Sequence, residues 1–252
     1  LSEQKVNGCI RAKNEIVIAG LPLVEMFLSE TGARQTVRLL KEDGDVAAAS
    51  SMLLTFNGSA SGLLTAERAL LNILQHLCGV ATLTRRYVEL VEGTECTIVD
   101  TRKTLPGLRI LDKYAVTQGG GRNHRFGLDD GILIKDNHIA VCGGVKEAVG
   151  RARGKASNWL KIEVECRTLP EVHEALDAGT DIILLDNMGI AETRQAVKMI
   201  DGHVLVEASG NMSLERVREV AEAGVDLISV GALTHSAPAA DLSMEMVPAV
   251  TS

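Results

Sequence analysis

A short stretch in the middle of the chain is rich in side chains that bind anions. Between Asp100 and Lys135 there are seven Lys or Arg against four Asp, whereas the whole chain of 252 residues carries a net charge of −7. Arginine grips a carboxylate or phosphate through two parallel hydrogen bonds, and lysine adds a movable point charge. Cations concentrated against the overall charge predict a pocket for a small ligand with several negative groups. The candidate ligand-binding side chains are Arg102, Lys103, His124, Arg125 and Lys135.

A solvated charged surface is the alternative interpretation of this cluster, and it is the usual one for Lys and Arg. Two neighbouring features make it less favoured here. The charges adjoin the apolar run Gly131–Ile134 and the flexible triplet Gly119–Gly121. A pocket is therefore the preferred prediction.

Two acidic residues follow apolar, strand-like runs: Glu165 comes after Leu160–Val164, and Asp186 comes after Asp181–Leu185. On adjacent parallel strands their carboxylates would lie at the same end of a sheet. There they would suit Mg²⁺ or a developing positive charge on a sugar carbon. Each could instead merely accept hydrogen bonds from the N-terminus of the following helix. Because they face a cationic cluster, the two acids are expected to form the negative half of a site whose other half is positive.

Small residues follow the last two strand-like runs and could admit a phosphate. Glycine lets backbone N–H groups approach a phosphate at the N-terminus of a helix. Any tight turn can also use glycine, so the position of these residues is more informative than their type. The two candidate phosphate-binding segments are Ser209, Gly210, Asn211 and Val230, Gly231, Ala232.

From about residue 96 onward, apolar runs of strand length alternate with segments of helical period. The runs are apolar throughout, which predicts strands buried on both faces. Six such repeats favour a parallel α/β barrel or a doubly wound sheet. The predicted strands are Cys96–Val99, Gly131–Ile134, Leu160–Val164, Asp181–Leu185, His203–Val206 and Leu227–Val230. The predicted helices are Leu108–Val116, Gly144–Arg153, Leu169–Ala178, Ile190–Ile200 and Leu214–Ala223.

The first 65 residues have a different pattern, with short alternating runs that predict a small α/β or β-rich domain. A long helical pattern, Thr65–Glu92, joins this region to the barrel. Helix-end signals further along the chain include Ser213 as an N-cap and Gly179 and Gly224 as C-cap glycines.

The bulk composition excludes several classes of protein. No apolar run reaches the length of a membrane span, and a pI near 5.4 with 2% aromatic residues argues against a nucleic-acid partner. Five widely spaced cysteines without a CxxC pair predict reduced thiols in a cytoplasmic protein. A nucleophilic role for Cys166 is the less favoured alternative. Because the chain begins at Leu1 and not at Met, a leading segment is expected to be missing.

Several long motifs in order resemble the quinolinate phosphoribosyltransferase family, from about Asp43 to Met244. They are ERALLNILQHLCGVAT, DTRKTLPGLRILDKYAV, GGGRNHRFGLDDGILIKDNHI, IEVEC, LLDN, EASGN and SVGALTHSAPAADLS. The resemblance implies conversion of quinolinate and phosphoribosyl pyrophosphate to nicotinate mononucleotide, pyrophosphate and CO₂, with Mg²⁺ as cofactor. It also implies an incomplete α/β barrel beside an N-terminal open-faced α/β sandwich. The predicted domains are residues 1–76, a barrel over 77–238, and a C-terminal tail over 239–252.

The resemblance also implies roles for individual residues. The acceptor would be held by Thr101, Arg102, His124, Arg125 and Lys135, joined by Arg68 from the other subunit of a homodimer or larger homo-oligomer. Lys103, Glu165 and Asp186 would be catalytic and would contact the donor, with the two acids holding the metal directly or indirectly. Ser209–Asn211 and Val230–Ala232 would cradle the 5′-phosphate.

Three other functions compete with this one. A ModD-like paralogous phosphoribosyltransferase would share the fold and the donor site but use another acceptor; the set Arg102, His124, Arg125 and Lys135 favours quinolinate. A Schiff-base aldolase barrel would use Lys103 or Lys135. A non-catalytic sensor of phosphorylated ligands is less favoured, because the acidic and basic groups of a catalyst are all present.

Overall fold

The structure, a computed structural model, describes residues 4–31 and 36–249. Its strands are β1 (Lys5–Ala12), β2 (Ile16–Val17), β3 (Thr36–Leu39), β4 (Val46–Ala47), β5 (Met52–Ser59), β6 (Thr97–Val99), β7 (Ile132–Ile134), β8 (Ile162–Cys166), β9 (Ile182–Asp186), β10 (Leu205–Ser209), β11 (Leu227–Ser229) and β12 (Leu242–Pro248). Its helices are α1 (Pro22–Glu30), α2 (Ala60–Leu90), α3 (Arg109–Gln118), α4 (Asp136–Cys142), α5 (Val145–Arg153), α6 (Leu169–Asp177), α7 (Ile190–Ile200), α8 (Leu214–Glu222) and α9 (Ala232–His235).

The described residues form two compact units. Unit 1 takes its residues from 1–85, 105–120 and 232–252, and unit 2 consists of 86–104 and 121–231. None of the helices in the described residues has both the length and the apolar character that a bilayer span requires.

Unit 1 contains a four-stranded antiparallel sheet in the order β12-β1-β5-β3. Its core is one cluster of buried side chains that includes Ile10 of β1, Leu54 of β5, Leu28 of α1 and Leu70 of α2. This arrangement is the expected small N-terminal α/β domain. Residues 239–252, expected to be a tail, contribute β12, which pairs with β1 along its whole length.

Unit 2 contains a six-stranded parallel sheet in the order β6-β11-β10-β9-β8-β7. Strands β7 to β11 follow one another in sequence order across the sheet, and β6 lies beyond β11. A doubly wound sheet would reverse its strand order in the middle. The order is therefore that of a barrel left open between β6 and β7, which confirms the predicted incomplete α/β barrel.

Each of the six predicted strands and five predicted helices forms an element, β6 to β11 and α3 and α5 to α8. Helix α3, predicted as part of the barrel domain, belongs to unit 1. The end signals hold as well. Gly179 and Gly224 each follow a helix, and both glycines have a positive φ. Ser213 is the N-cap of α8. One correction concerns the acids: Glu165 and Asp186 lie within β8 and β9 and not beyond them, because the strand pairing continues past the apolar runs.

Candidate active site

Alternate side chains of the parallel strands of unit 2 face the same side of the sheet. In β8 these are Glu163 and Glu165, and the register pairs Glu165 with Leu184 of β9, which in turn is paired with Glu207 of β10. Glu165, Leu184 and Glu207 line a cavity of about 580 Å³. The period-two pattern of the strands thus directs acidic side chains into one pocket.

Most of the predicted site residues line this cavity. They are Thr101, Arg102, Lys103, His124, Arg125, Lys135, Glu165, Asp186, Ser209, Gly210 and Asn211. All of them belong to unit 2. The positive stretch and the paired acids, separated by many residues in sequence, are therefore brought to one cavity.

Four predicted residues are not among those that line the cavity: Arg68, Val230, Gly231 and Ala232. Arg68 is an exposed residue of α2 within unit 1. Val230 is buried and donates its backbone N–H to the carbonyl of Val99, so it continues the pairing of β11 with β6. The roles predicted for these four residues stay predictions.

The positive wall of the cavity is formed by the loops after β6 and before β7. Burial, and with it the charge of Arg102, lowers the pKa of Arg125. Arg125 is anchored by a hydrogen bond from Nη1 to the carbonyl of Gly131 (2.9 Å). The backbone N–H of His124 donates to the buried carboxylate of Asp100 (2.9 Å), which fixes the loop to the end of β6. Two guanidinium groups held close enough to repel each other form a site suited to an anion.

His124 contacts two buried glutamates that were not predicted from the sequence as site residues. Its Nε2 is 3.2 Å from Oε2 of Glu163 and 3.3 Å from Oε2 of Glu207. Both oxygens of Glu207 and Oε1 of Glu163 are buried without a hydrogen-bond partner among the described residues. The contact between His124 and Glu207 is therefore one of charge, and the hydrogen bond of Nε2 goes to Glu163.

The protonation of this cluster follows from its geometry. Burial lowers the pKa of His124, but the hydrogen bond to Glu163 and the negative charges of Glu163 and Glu207 outweigh it and raise the pKa to about 10. Burial, together with the charge of Glu207, also raises the pKa of Glu163 against the opposing effect of His124. One hydrogen bond opposes a second proton on the ring and so favours a lower pKa. Nδ1 accepts the backbone N–H of Arg125 (2.7 Å), which it can do only while it carries no proton itself. Two carboxylates act on the ring more strongly than one neutral hydrogen bond, so the raised pKa prevails.

The three groups are also close enough to be considered as metal ligands. A metal would need the lone pair of Nε2. With Nδ1 accepting a hydrogen bond, the neutral ring carries its proton on Nε2, and the charged ring carries protons on both nitrogens. In both states Nε2 is protonated, so the cluster holds a proton and does not suit a metal.

The acids Glu165 and Asp186 form the negative side of the cavity. Lys135 Nζ contacts Oε2 of Glu165 at 2.9 Å. Arg167 lies 3.2 Å from Asp186 through Nε and 3.8 Å from Glu165 through Nη2. Carboxylate oxygens on neighbouring strands are the ligands that Mg²⁺ prefers, and Mg²⁺ commonly takes only one or two of them beside substrate phosphates. The pair fits that role.

The turns after β9 and β10 are tied together by side-chain amides. Asn187 Nδ2 donates to Oδ1 of Asp186 (2.8 Å), and Asn211 Nδ2 donates to Oδ1 of Asn187 (3.0 Å). Arg216 of α8 donates to the carbonyls of both Gly210 (3.3 Å) and Met188 (2.7 Å). The result is a rigid turn of small and amide residues before the N-terminus of α8, as a phosphate site requires.

Glu207 and Asn187, which also line the cavity, were not predicted as site residues. A signal for Glu207 was present, because it lies two positions before Ser209 and so on the same face of the strand. Glu163 has the same relation to Glu165. Asn187 gave a weaker signal, namely its residue type. Asn tolerates the left-handed conformation better than most residues, and Asn187 has φ of 56° in the structure. The cysteines behave as expected, since burial raises the pKa of Cys166 to about 12 and leaves no thiolate near neutral pH.

Fold and site together define a class of protein: an α/β barrel of the enzyme type, whose cavity is lined by cations and by a pair of acids, an arrangement suited to a polyanion. The comparisons with known proteins agree. The family model for the N-terminal domain of quinolinate phosphoribosyl transferase matches residues 1–78, and that for its C-terminal domain matches residues 80–245. The chain belongs to the quinolinate phosphoribosyltransferase family.

Named relatives and solved structures are similar over nearly all of the chain. A probable nicotinate-nucleotide pyrophosphorylase [carboxylating] of Bacillus subtilis is 43% identical over 97% of this chain and 84% of its own length. The corresponding protein of Mycobacterium leprae is 44% identical over 96% and 86%. The structure of NadC from Streptococcus pyogenes has a TM-score of 0.95 at 39% identity over 99% of this chain and 89% of that one. The pyrophosphorylase of Ehrlichia chaffeensis has a TM-score of 0.94 at 40% identity over 98% and 89%.

Proposed function

We propose that the protein transfers a phosphoribosyl group from phosphoribosyl pyrophosphate to quinolinate, releasing pyrophosphate and CO₂ and forming nicotinate mononucleotide in the synthesis of NAD. The observation that supports this most directly is the single cavity in which Arg102, Arg125 and Lys135 face Glu165 and Asp186. A diacid and a polyphosphate repel each other, so a site must neutralise both before they can react.

The cations hold the acceptor. Arg102 and Arg125 each offer a planar fork of donors that matches a carboxylate, and quinolinate has two carboxylates on adjacent ring carbons. Lys135 and His124 add positive charge beside them. The carboxylates are thereby fixed, which leaves the ring nitrogen oriented towards the donor sugar.

The donor occupies the opposite part of the cavity. Ser209, Gly210 and Asn211 take its 5′-phosphate, and Lys103 takes part of the diphosphate charge. As the diphosphate leaves, positive charge grows on the sugar carbon, and the carboxylates of Glu165 and Asp186 stabilise that charge. The ring nitrogen then forms the new bond to that carbon.

Loss of CO₂ follows from the new charge on the ring. Once the nitrogen is bonded to the sugar it is positively charged, so it can accept the electron pair released when the bond to the 2-carboxylate breaks. A proton then takes the place of CO₂ on the ring. The step requires no covalent bond between protein and substrate.

Glu165 and Asp186 would hold Mg²⁺ directly or through water, together with the oxygens of the diphosphate. When bound, the metal supplies charge neutralisation to the leaving diphosphate. The binding of Mg²⁺ is itself a proposal, supported by the position of the two acids on neighbouring strands within the cavity.

We further infer a homodimer or larger homo-oligomer in which Arg68 of one subunit completes the acceptor site of another. The support is that Arg68 is an exposed arginine and lies in the predicted family motif. A cytoplasmic location is also proposed, supported by the five cysteines, all of which are free thiols.

The test is an assay of the purified protein with the phosphoribosyl donor, Mg²⁺ and one of three acceptors: quinolinate, nicotinate or nicotinamide. Nucleotide formation with quinolinate, together with one CO₂ for each nucleotide, is expected. Nucleotide formed only with another acceptor would contradict the proposal and favour a ModD-like paralogue. A substrate–lysine adduct trapped by borohydride would favour an aldolase instead.

A further inference from the structure

Arg167 is the first residue after β8, and its guanidinium lies among three carboxylates. Its Nε is 3.2 Å from Oδ2 of Asp186, and its Nη2 is 2.9 Å from Oδ2 of Asp136 and 3.8 Å from Oε1 of Glu165. No role was predicted for it from the sequence, and it is not among the residues that line the cavity. It nevertheless pairs with both acids proposed to hold the metal.

With Arg167 in place, each oxygen of the two acids has a donor or a cation beside it. Oε2 of Glu165 contacts Lys135 at 2.9 Å, and Oε1 faces Arg167. Oδ1 of Asp186 accepts from Asn187, and Oδ2 contacts Arg167. A divalent cation that binds a carboxylate directly needs an oxygen lone pair that points to it. Each oxygen keeps a second lone pair, so these partners do not block a metal outright, but the positive charges of Arg167 and Lys135 beside the acids oppose its binding.

Arg167 is the exposed partner that contacts both acids. Its side chain is 53% exposed, close to the 49% of Lys135, which contacts Glu165. Asn187 is fixed by its hydrogen bond from Asn211. Asp136, at the start of α4, lies 2.9 Å from Arg167. The guanidinium can therefore move away from Glu165 and Asp186 and still keep the carboxylate of Asp136 as its counter-ion.

We propose that Arg167 is the resident counter-ion of Glu165 and Asp186, and that a divalent metal displaces it from them to bind. This inference rests on the proposed function, in which these two acids hold Mg²⁺. It adds that, while no metal is bound, the ion pairs with Arg167 lower the affinity of Glu165 and Asp186 for a divalent cation. The pairing also keeps two acids of like charge together while no metal is present.

The first test measures binding of the metal alone, without substrates. Mn²⁺ stands in for Mg²⁺, and free Mn²⁺ is counted by its electron paramagnetic resonance signal during titration of the protein. Arg167→Gln should bind Mn²⁺ about two- to fivefold more tightly than the wild type, the range expected when a half-exposed ion pair no longer competes. Asp186→Asn should bind it more weakly.

Arg153→Gln is the matched control. Arg153 is likewise half-exposed in unit 2 and pairs with Asp181 at 3.0 Å, but it does not line the cavity. The variant removes the same charge, and its Mn²⁺ affinity should equal that of the wild type. Equal or weaker Mn²⁺ binding by Arg167→Gln would overturn the proposal.

A second measurement separates displacement from a general effect of charge. The Nε–H signal of Arg167, assigned by its absence in Arg167→Gln, is followed by NMR while Mg²⁺ is added. It should shift in the wild type and stay unchanged in Asp186→Asn. An unchanged signal in the wild type, in spite of metal binding, would also overturn the proposal.

The outcomes distinguish this inference from the proposed function. If Mn²⁺ binding depends on Asp186 but not on Arg167, only the counter-ion role fails. If Asp186→Asn binds Mn²⁺ as the wild type does, the metal site itself is misplaced and the counter-ion role fails with it. The phosphoribosyl transfer to quinolinate is judged separately by the acceptor assay.

Discussion

Glu163 and Glu207 lie beneath a cavity that is proposed to bind a dianion, a position in which two bare negative charges would repel the substrate. His124 resolves this conflict, because its Nε2 contacts both carboxylates. A buried charge is costly unless it is paired. The three side chains are therefore coupled, and removing either glutamate removes a charge that raises the pKa of His124.

The pH dependence of stability tests this coupling. A histidine whose pKa is raised on folding adds stability that is fully present below its unfolded pKa of about 6.5 and is lost as the pH rises towards its folded value. For His124 that value is about 10. The free energy of unfolding should therefore fall between about pH 6.5 and about pH 10, by at most about 1.4 kcal/mol for each pH unit.

Glu207→Gln keeps the shape of the side chain and removes one of the charges that raise the pKa of His124. The fall in stability with pH should therefore be smaller in this variant, as measured by urea unfolding at several pH values. Glu222→Gln, which alters an exposed glutamate of α8, is the control and should keep the wild-type slope. Equal slopes for Glu207→Gln and the wild type would argue against the coupling.

A second residue-level prediction concerns Arg125. Arg125→Ala removes a fork of donors proposed to bind a quinolinate carboxylate, so the KM for quinolinate should rise by about tenfold or more, as expected for a charged hydrogen bond. The KM for the phosphoribosyl donor should change little. Steady-state kinetics with each substrate varied in turn provide the measurement. Arg153→Ala controls for loss of a surface arginine, and a normal quinolinate KM in Arg125→Ala would refute the placement.

The turn after β10 shows how an element, and not a single side chain, builds a binding site. Gly210 has φ of 94°, and a Cβ placed on it would come within 2.3 to 2.6 Å of the side chain of Asn187. Glycine is therefore required both by the backbone conformation and by the close packing of two neighbouring turns. The predicted 5′-phosphate site depends on that packing.

Gly210→Ala should consequently raise the KM for the phosphoribosyl donor and lower stability by about 1 kcal/mol or more. Gly179→Ala is a matched control: Gly179 has φ of 71°, but its Cβ would meet nothing within 4 Å. It should lower stability through the backbone alone and leave both KM values unchanged. Donor kinetics that respond equally to the two substitutions would show that the contact with Asn187 is unimportant.

Elements whose own residues carry a signal could be predicted from the sequence, and those defined only by a distant partner could not. Helix α6 is preceded by the N-cap Thr168, whose hydroxyl accepts the N–H of Glu171, and Gly179 follows its C-cap residue Ala178; all of these signals lie within the helix or next to it. Strand β12 has no such signal, because its partner β1 is at least 230 residues away in sequence. The same holds for Arg167, whose ion pairs depend on how β8, β9 and α4 lie side by side.

At the scale of the whole molecule, the proposed assembly makes a quantitative prediction. If Arg68 completes the site of another subunit, Arg68→Ala and Lys135→Ala should each be nearly inactive, since each lacks one cation at every site. Mixed dimers of the two variants would hold one intact site. After unfolding and refolding together in equal amounts, the mixture should recover about a quarter of wild-type activity, for a symmetric dimer.

The activity of the mixture is compared with that of each variant refolded alone. Absence of recovery, with dimers present by sedimentation, would mean that Arg68 serves the cavity of its own chain or none. Wild-type protein that is unfolded and refolded in the same way supplies the control for losses on refolding.

The pairing of β1 with β12 bears on how the protein is made. Strand β1 leaves the ribosome early, but the strand that covers one of its edges is translated after all the other described elements. Until then β1 has β5 on one side only, and an open strand edge is a site for mispairing between chains. The residues of unit 2 from 121 to 231 are contiguous and can fold during that interval. A nascent chain stalled before Leu242 should therefore resist protease over the barrel and be cut within the first sheet.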